Sequence, residues 1–220
     1  MPGLFEVLGP IMIGPSSSHT AGAVRLGNVA RSLLDETPSE VRIWLHGSFA
    51  ATYQGHGTDL ALVGGLLGFS VDDDRLKKSF EYAKEQGMKV SLSAEDLGDV
   101  HPNSVKISLV GINGGTVTLT GSSVGGGRVE VFDVDGLPVS FSGEKPTMLV
   151  QYQDRPGIIA GVTSIFADMN INIATMKVSR QGRGKSAIAV IEADEHIPDR
   201  VTESVRAHPG VGKVVCFTSK

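Results

Sequence analysis

The chain has 220 residues, a formal net charge of -4, 28 glycines, 5% aromatic residues and one cysteine. No run of Lys and Arg is interleaved with aromatics, which excludes the electrostatic footprint of a nucleic-acid binder, and the lone Cys216 excludes an internal disulfide framework or a thiolate-bound metal held by this chain alone. The first basic residue is Arg25 and the longest apolar run, 60–69, is too short to cross a bilayer, so neither a secretory signal nor a membrane span is expected and the chain reads as cytoplasmic.

This length suits two modest domains, and abundant glycine with few aromatics favours a mixed sheet-and-helix fold over a helical bundle. Ala23, Leu26, Ala30 and Leu33 define the apolar face of a first helix, and a strand follows at 40–45, ending on His46-Gly47. Three aspartates, Asp72 to Asp74, suit the start of a helix at 75–86 that places Leu76, Phe80 and Ala83 on one face. Strands are expected at 89–92, 105–110, 116–120 and 128–134, with Gly114-Gly115 and Gly125-Gly126-Gly127 in the turns between them. The polar, turn-forming segment 140–146 separates a domain at 1–145 from one at 146–220. In the second, strands at 148–152, 171–179, 186–192 and 211–217 and helices at 157–169 and 198–207 read as βαββαβ, with Ile158, Val162, Ile165 and Met169 forming a stripe that needs a sheet to cover it. Gly184-Lys185-Ser186 fails as a phosphate loop, because the earlier glycine is missing and a strand follows where a helix is required.

Two clusters carry candidate chemistry. Ser16-Ser17-Ser18-His19-Thr20 puts four hydroxyls and an imidazole at a helix start, where free N–H groups and the positive dipole end favour a carboxylate; a cap alone needs one such side chain. In Gly55-His56-Gly57-Thr58-Asp59 the glycines expose the imidazole, and Asp59 is placed to cap the following helix. His19, His46, His56 and His101 all lie beside Gly, Pro, Ser or Thr and are candidates to line one cleft. Zinc binding by three of them with Asp59 lacks the close helical spacing of familiar motifs, and no Gly-x-Ser-x-Gly elbow supports a serine hydrolase. Asp154-Arg155-Pro156-Gly157 and Asn170-Ile171-Asn172 flank the first helix of the second domain and also fit ordinary turn chemistry.

Gly14-Pro15-Ser16-Ser17-Ser18-His19-Thr20, His46-Gly47-Ser48, Gly55-His56-Gly57-Thr58-Asp59 and His101-Pro102-Asn103 together resemble, in order and position, the β subunit of the bacterial iron-sulfur-dependent L-serine dehydratases. Residues after Pro146, with Asp154-Arg155-Pro156-Gly157 heading their first helix, resemble an ACT domain. The resemblance implies an α+β (α/β) chain: a mixed-sheet dehydratase domain followed by a ferredoxin-like βαββαβ ACT domain. It implies a lyase of amino-acid metabolism and gluconeogenesis that converts L-serine to pyruvate and ammonia. A 4Fe-4S cluster, whose open iron position takes the substrate hydroxyl, is then held by a separate α chain in a heterodimer, with no metal ligand in this chain.

On that reading Ser16, Ser17, Ser18, Thr20, Thr58, Asp59 and Asn103 bind substrate. A histidine, titrating near neutrality, is the natural base for the Cα proton, and His19 and His56 are the two candidates. Asp154, Pro156, Gly157, Asn170 and Asn172 are the expected effector residues, and self-association through the ACT domain is expected. The other expectation is a non-catalytic amino-acid sensor, with effector in the ACT domain and the N-terminal domain as an allosteric or docking unit.

Overall fold

The computed structural model describes residues 12–14 and 16–218; Pro15 of the serine motif, and the residues of the two expected domains at 1–11 and 219–220, lie outside the described residues. Contacts divide the chain into Met1–Asp135 and Gly136–Lys220.

In the N-terminal unit, α1 (Ala21–Leu34) leads to β1 (Pro38–Leu45), then α2 (Gly47–His56) and α3 (Thr58–Leu66). A 3-10 turn (Asp74–Lys78), α4 (Ser79–Glu85) and strands β2 (Lys89–Ala94), β3 (Ser104–Gly111), β4 (Thr116–Gly125) and β5 (Arg128–Val134) complete it. The strands of this unit lie in the order β2-β1-β3-β4-β5, and among them β2 alone runs parallel to its neighbour; β6 (Leu137–Phe141) opens the C-terminal unit. β6 packs on two later strands, which is why the division falls ahead of the 140–146 segment.

Ala23, Leu26, Ala30 and Leu33 are all sealed from solvent, as their spacing predicts. The burial goes further, because α1 lies between β3–β5 on one side and α3 on the other, so Gly22, Gly27 and Val29 are also inside. Backbone-to-backbone approach explains the glycines: a Cβ on Gly27 would overlap the Leu62 carbonyl oxygen, and one on Gly65 would overlap that of Val24.

The single helix expected at 75–86 is instead two pieces. The Asp73 carboxylate accepts the Arg75 amide at 2.9 Å and grips the Arg75 guanidinium, winding 74–78 into a tight turn. Ser79, fully buried, then donates its hydroxyl to the Leu76 carbonyl and starts α4. α2 and β6 are absent from the elements expected of the sequence; α2 buries only Phe49 and carries no apolar stripe.

The C-terminal unit follows the expected βαββαβ order: β7 (Thr147–Gln153), α5 (Ile158–Asp168), β8 (Ile173–Arg180), β9 (Ser186–Ala193), α6 (Asp199–Ala207) and β10 (Val211–Phe217). Its sheet runs β10-β7-β9-β8, antiparallel throughout. Ile158, Val162 and Phe166 from α5 and Val201 and Val205 from α6 cover Met148, Val150, Ala189 and Ile191 on one sheet face. Removing a side chain such as Phe166 from water contributes on the order of 2 kcal/mol.

Candidate functional site

The serine cluster is a turn of its own ahead of α1. Thr20 N–H donates to Ser16 O at 2.8 Å, Gly22 N–H to Ser17 O at 3.1 Å, and the Ser16 hydroxyl accepts the His19 amide at 3.4 Å. Ser16 therefore does the capping one turn earlier than expected, and Thr20 at the start of α1 makes no side-chain cap. The expected cap at Asp59 is also corrected: α3 begins at Thr58 behind a left-handed Gly57 (φ 68°), and Asp59 sits inside the first turn, accepting the Leu60 amide at 2.9 Å.

His19 is the centre of the arrangement. The residue is 8% exposed, with Nδ1 at 3.3 Å from Ser16 Oγ and 3.2 Å from Ser18 Oγ, and Nε2 at 3.3 Å from Ser48 Oγ. The ring meets His56 edge-to-face at 4.8 Å between centroids and Phe49 at 5.3 Å. His56, the last residue of α2, also lines a pocket of about 360 Å³ with Thr20, Gln54, Leu60, Leu76 and Lys77. That volume holds a small metabolite. Thr20 Oγ1, His56 Nδ1 and Thr58 Oγ1 are buried and have no hydrogen-bond partner among the described residues. Three orphaned polar atoms this close in sequence to one pocket are an energetic liability in the free chain, each costing about 1–3 kcal/mol until a partner arrives.

The other expected residues do not all converge. His46 starts α2, where its Nδ1 accepts the Leu97 amide at 3.1 Å and lies 3.6 Å from Asp96; His101 is exposed and accepts the Asn103 amide at 3.1 Å. Of the four histidines only His56 lines this pocket, and neither Asn103 nor Ser16, Ser17 and Ser18 are among its lining residues. Ser48, absent from the expected site set, meets His19 Nε2 from outside the pocket. In the C-terminal unit, Asp154 accepts Arg180 at 2.8 Å and the Gly184 amide, beside Pro156 and the left-handed Gly157 that starts α5. Asn170 and Asn172 lie at the opposite end of the sheet, where Asn172 Nδ2 donates to Asp194 at 2.6 Å. Within one chain these effector candidates form two places and not one.

Burial holds the His19 pKa below its usual 6.5, and the neighbouring His56 lowers it further; burial raises that of Asp59. The sign for His19 follows directly. As pH falls through 6.5 the unfolded chain takes up a proton that the folded chain resists, so stability contributed by neutral His19 is complete above that pH and is lost below it. Asp59 acts oppositely, costing stability as pH rises from about 3.8. Urea midpoints followed by Trp44, the one tryptophan, are expected to drop between pH 7.5 and 5.5, and His19→Gln to flatten that drop.

The described residues do not fit an iron-sulfur cluster. Among them no three His, Cys, Asp or Glu side chains are grouped to hold a metal. The one cysteine is in β10, with burial pushing its thiol up and away from the thiolate a metal needs. Also among the described residues, no helix is long and apolar enough to cross a membrane.

A mixed-sheet unit with a buried His19 against a half-buried His56, followed in the chain by a βαββαβ unit, defines a two-part α+β class of chain. Residues 4–133 match the family described as serine dehydratase beta chain, and residues 147–210 match the ACT domain. The chain is 42% identical over 96% of both sequences to a "Probable L-serine dehydratase, beta chain" of Bacillus subtilis, and 43% identical over 91% of both to the "L-serine dehydratase, beta chain" of Peptoniphilus asaccharolyticus. It is also 26% identical, over 87% of its length and 36% of the relative's, to a D-3-phosphoglycerate dehydrogenase of Bacillus subtilis. The chain belongs to the serine dehydratase beta-chain family.

Proposed function

We propose that the chain is the β subunit of an L-serine dehydratase and supplies the substrate-binding and proton-abstracting half of its active site. The observation that carries this reading is His56 at the pocket wall with its ring against His19, its Nδ1 and the hydroxyls of Thr20 and Thr58 buried without partners among the described residues. The α-carboxylate of serine is received by the hydroxyls of Ser16, Ser17, Ser18 and Thr20, with Thr58 adding a donor. Asn103 and Asp59 stand farther out, Asp59 ordering the first turn of α3 behind Thr58.

His56 takes the Cα proton. It faces the pocket, whereas His19 engages both ring nitrogens with serine hydroxyls and lies behind it. Loss of that proton and of the β-hydroxyl gives aminoacrylate, which tautomerises to the imine and hydrolyses to pyruvate and ammonia. A 4Fe-4S cluster, which the described residues do not fit, belongs in this proposal to a partner α chain. ACT-mediated self-association completes the assembly, with effector taken at Asp154 to Gly157 or at Asn170 and Asn172. The reading of the chain as a non-catalytic sensor is not favoured by a family match that covers the N-terminal unit.

The purified chain alone is expected to release no pyruvate from L-serine, and anaerobic addition of the cluster-bearing partner to restore release. Turnover by the chain alone, or none with a loaded partner, overturns the proposal.

A further inference from the structure

We propose that Ser48 is a positioning residue whose hydroxyl holds the His19 ring, through Nε2, in its edge contact with His56. The inference deepens the reading of His19 and His56 as the reacting pair and rests on it for its catalytic consequence, though not for its geometry.

α2 presents Ser48, Thr52 and His56 at successive spacings of four, so one helix face carries Ser48 near its start and His56 at its end. His19 lies against that face, its Nε2 at 3.3 Å from Ser48 Oγ and its ring at 4.8 Å from His56 and 5.3 Å from Phe49. Ser48 is itself anchored: its amide donates to Pro102 O at 2.8 Å, and its carbonyl accepts the Thr52 hydroxyl at 2.8 Å. The position of its Oγ is thus set by backbone and not by a mobile loop.

The Nδ1 side alone leaves the ring loosely held. Ser16 Oγ is divided between His19 Nδ1, the His19 amide and Ser18 Oγ, so this end is a shared network and not a fixed point. With Ser48 at the opposite nitrogen the imidazole is pinned along its long axis, and rotation about χ2 costs a hydrogen bond at each end. A hydroxyl also donates or accepts by rotating, so the Ser48 contact survives a change of charge on either imidazole. A carboxylate in its place would favour the imidazolium and oppose the lowered pKa of His19.

Shape and hydroxyl are separated by an isosteric pair, Ser48→Thr and Ser48→Val, in the full chain labelled with 15N-histidine. Ser48→Val is expected to move the imidazole 15N resonances of both His19 and His56, and Ser48→Thr to keep them near the parent values. Equal spectra for Ser48→Thr and Ser48→Val overturn the proposal, since then only the shape of the side chain matters. In the complex with the partner, Ser48→Val is expected to lower kcat on the order of tenfold or more with KM within about twofold, and Ser48→Thr to recover most of it. Displaced resonances with unchanged kcat support the positioning role and instead remove His19 and His56 from the proposed chemistry.

Discussion

His56→Ala, assayed in the complex with the cluster-bearing partner, is expected to lower kcat by about 10²–10⁴. Removing a general base leaves binding and the rest of the site in place, so the loss belongs in kcat, with KM changed little. At about 1.4 kcal/mol per factor of ten, this corresponds to roughly 3–5 kcal/mol of transition-state stabilisation. His56 is at the end of its helix, only partly buried, and its Nδ1 has no partner among the described residues, so truncation leaves no unsatisfied group behind in the protein. Relief of that unpartnered nitrogen and loss of the ring contact with His19 oppose each other, so stability read at Trp44 should change by no more than about 1 kcal/mol. His19→Ala is the contrasting case. It strips Ser16, Ser18 and Ser48 of a shared partner and opens a hole against Phe49, so it is expected to lose both stability and turnover. A His56→Ala complex that keeps more than a third of its turnover would transfer the base to another group.

The C-terminal unit was legible almost residue by residue because its pattern and its burial coincide. β7 and β9 are covered on both faces and read as near-continuous apolar runs, and the Val201–Val205 pair on α6 shows the side that faces the sheet. The N-terminal unit was legible where burial is one-sided, as along β3, whose alternate residues Val105, Ile107 and Leu109 point inward. α2 was not, because Gly47–His56 buries one large side chain and owes its order to polar anchors such as Pro102 O and to His19 lying against it. The same gap hid Ser48. Its spacing of four from Thr52 and of eight from His56 was in the sequence, but that spacing has meaning only once the segment is a helix. The serine motif disclosed its chemistry and not its geometry: hydroxyls at a chain turn announce anion or imidazole partners equally, and only the fold brings Ser48 to the far side of His19.

What sets the spacing between the two halves of the pocket is the crossing of α1 and α3, and one atom added there is expected to have a large effect. Thr20 stands just ahead of α1, His56 and Gly57 just ahead of α3, and all three line the pocket. A methyl on Gly65 would overlap the Val24 carbonyl oxygen and come within 3.0 Å of the Asn28 amide, both backbone atoms of a helix that cannot turn aside. Gly65→Ala gains about 1 kcal/mol of helix propensity, but overpacking against backbone costs about 1–3 kcal/mol, occasionally more, and here there is no flexible side chain to yield. The net expectation is a loss of up to about 2 kcal/mol, read as a lower urea midpoint at Trp44 in the N-terminal unit. Gly55→Ala supplies the opposite sign in the same protein. Gly55 is helical and exposed, and a methyl added there meets nothing within 4 Å, so only the propensity gain remains and the midpoint should rise. If both substitutions shifted the midpoint in the same direction, close approach of the two helices would not be what their glycines are for, and the pocket's width would have to be set by its side chains instead.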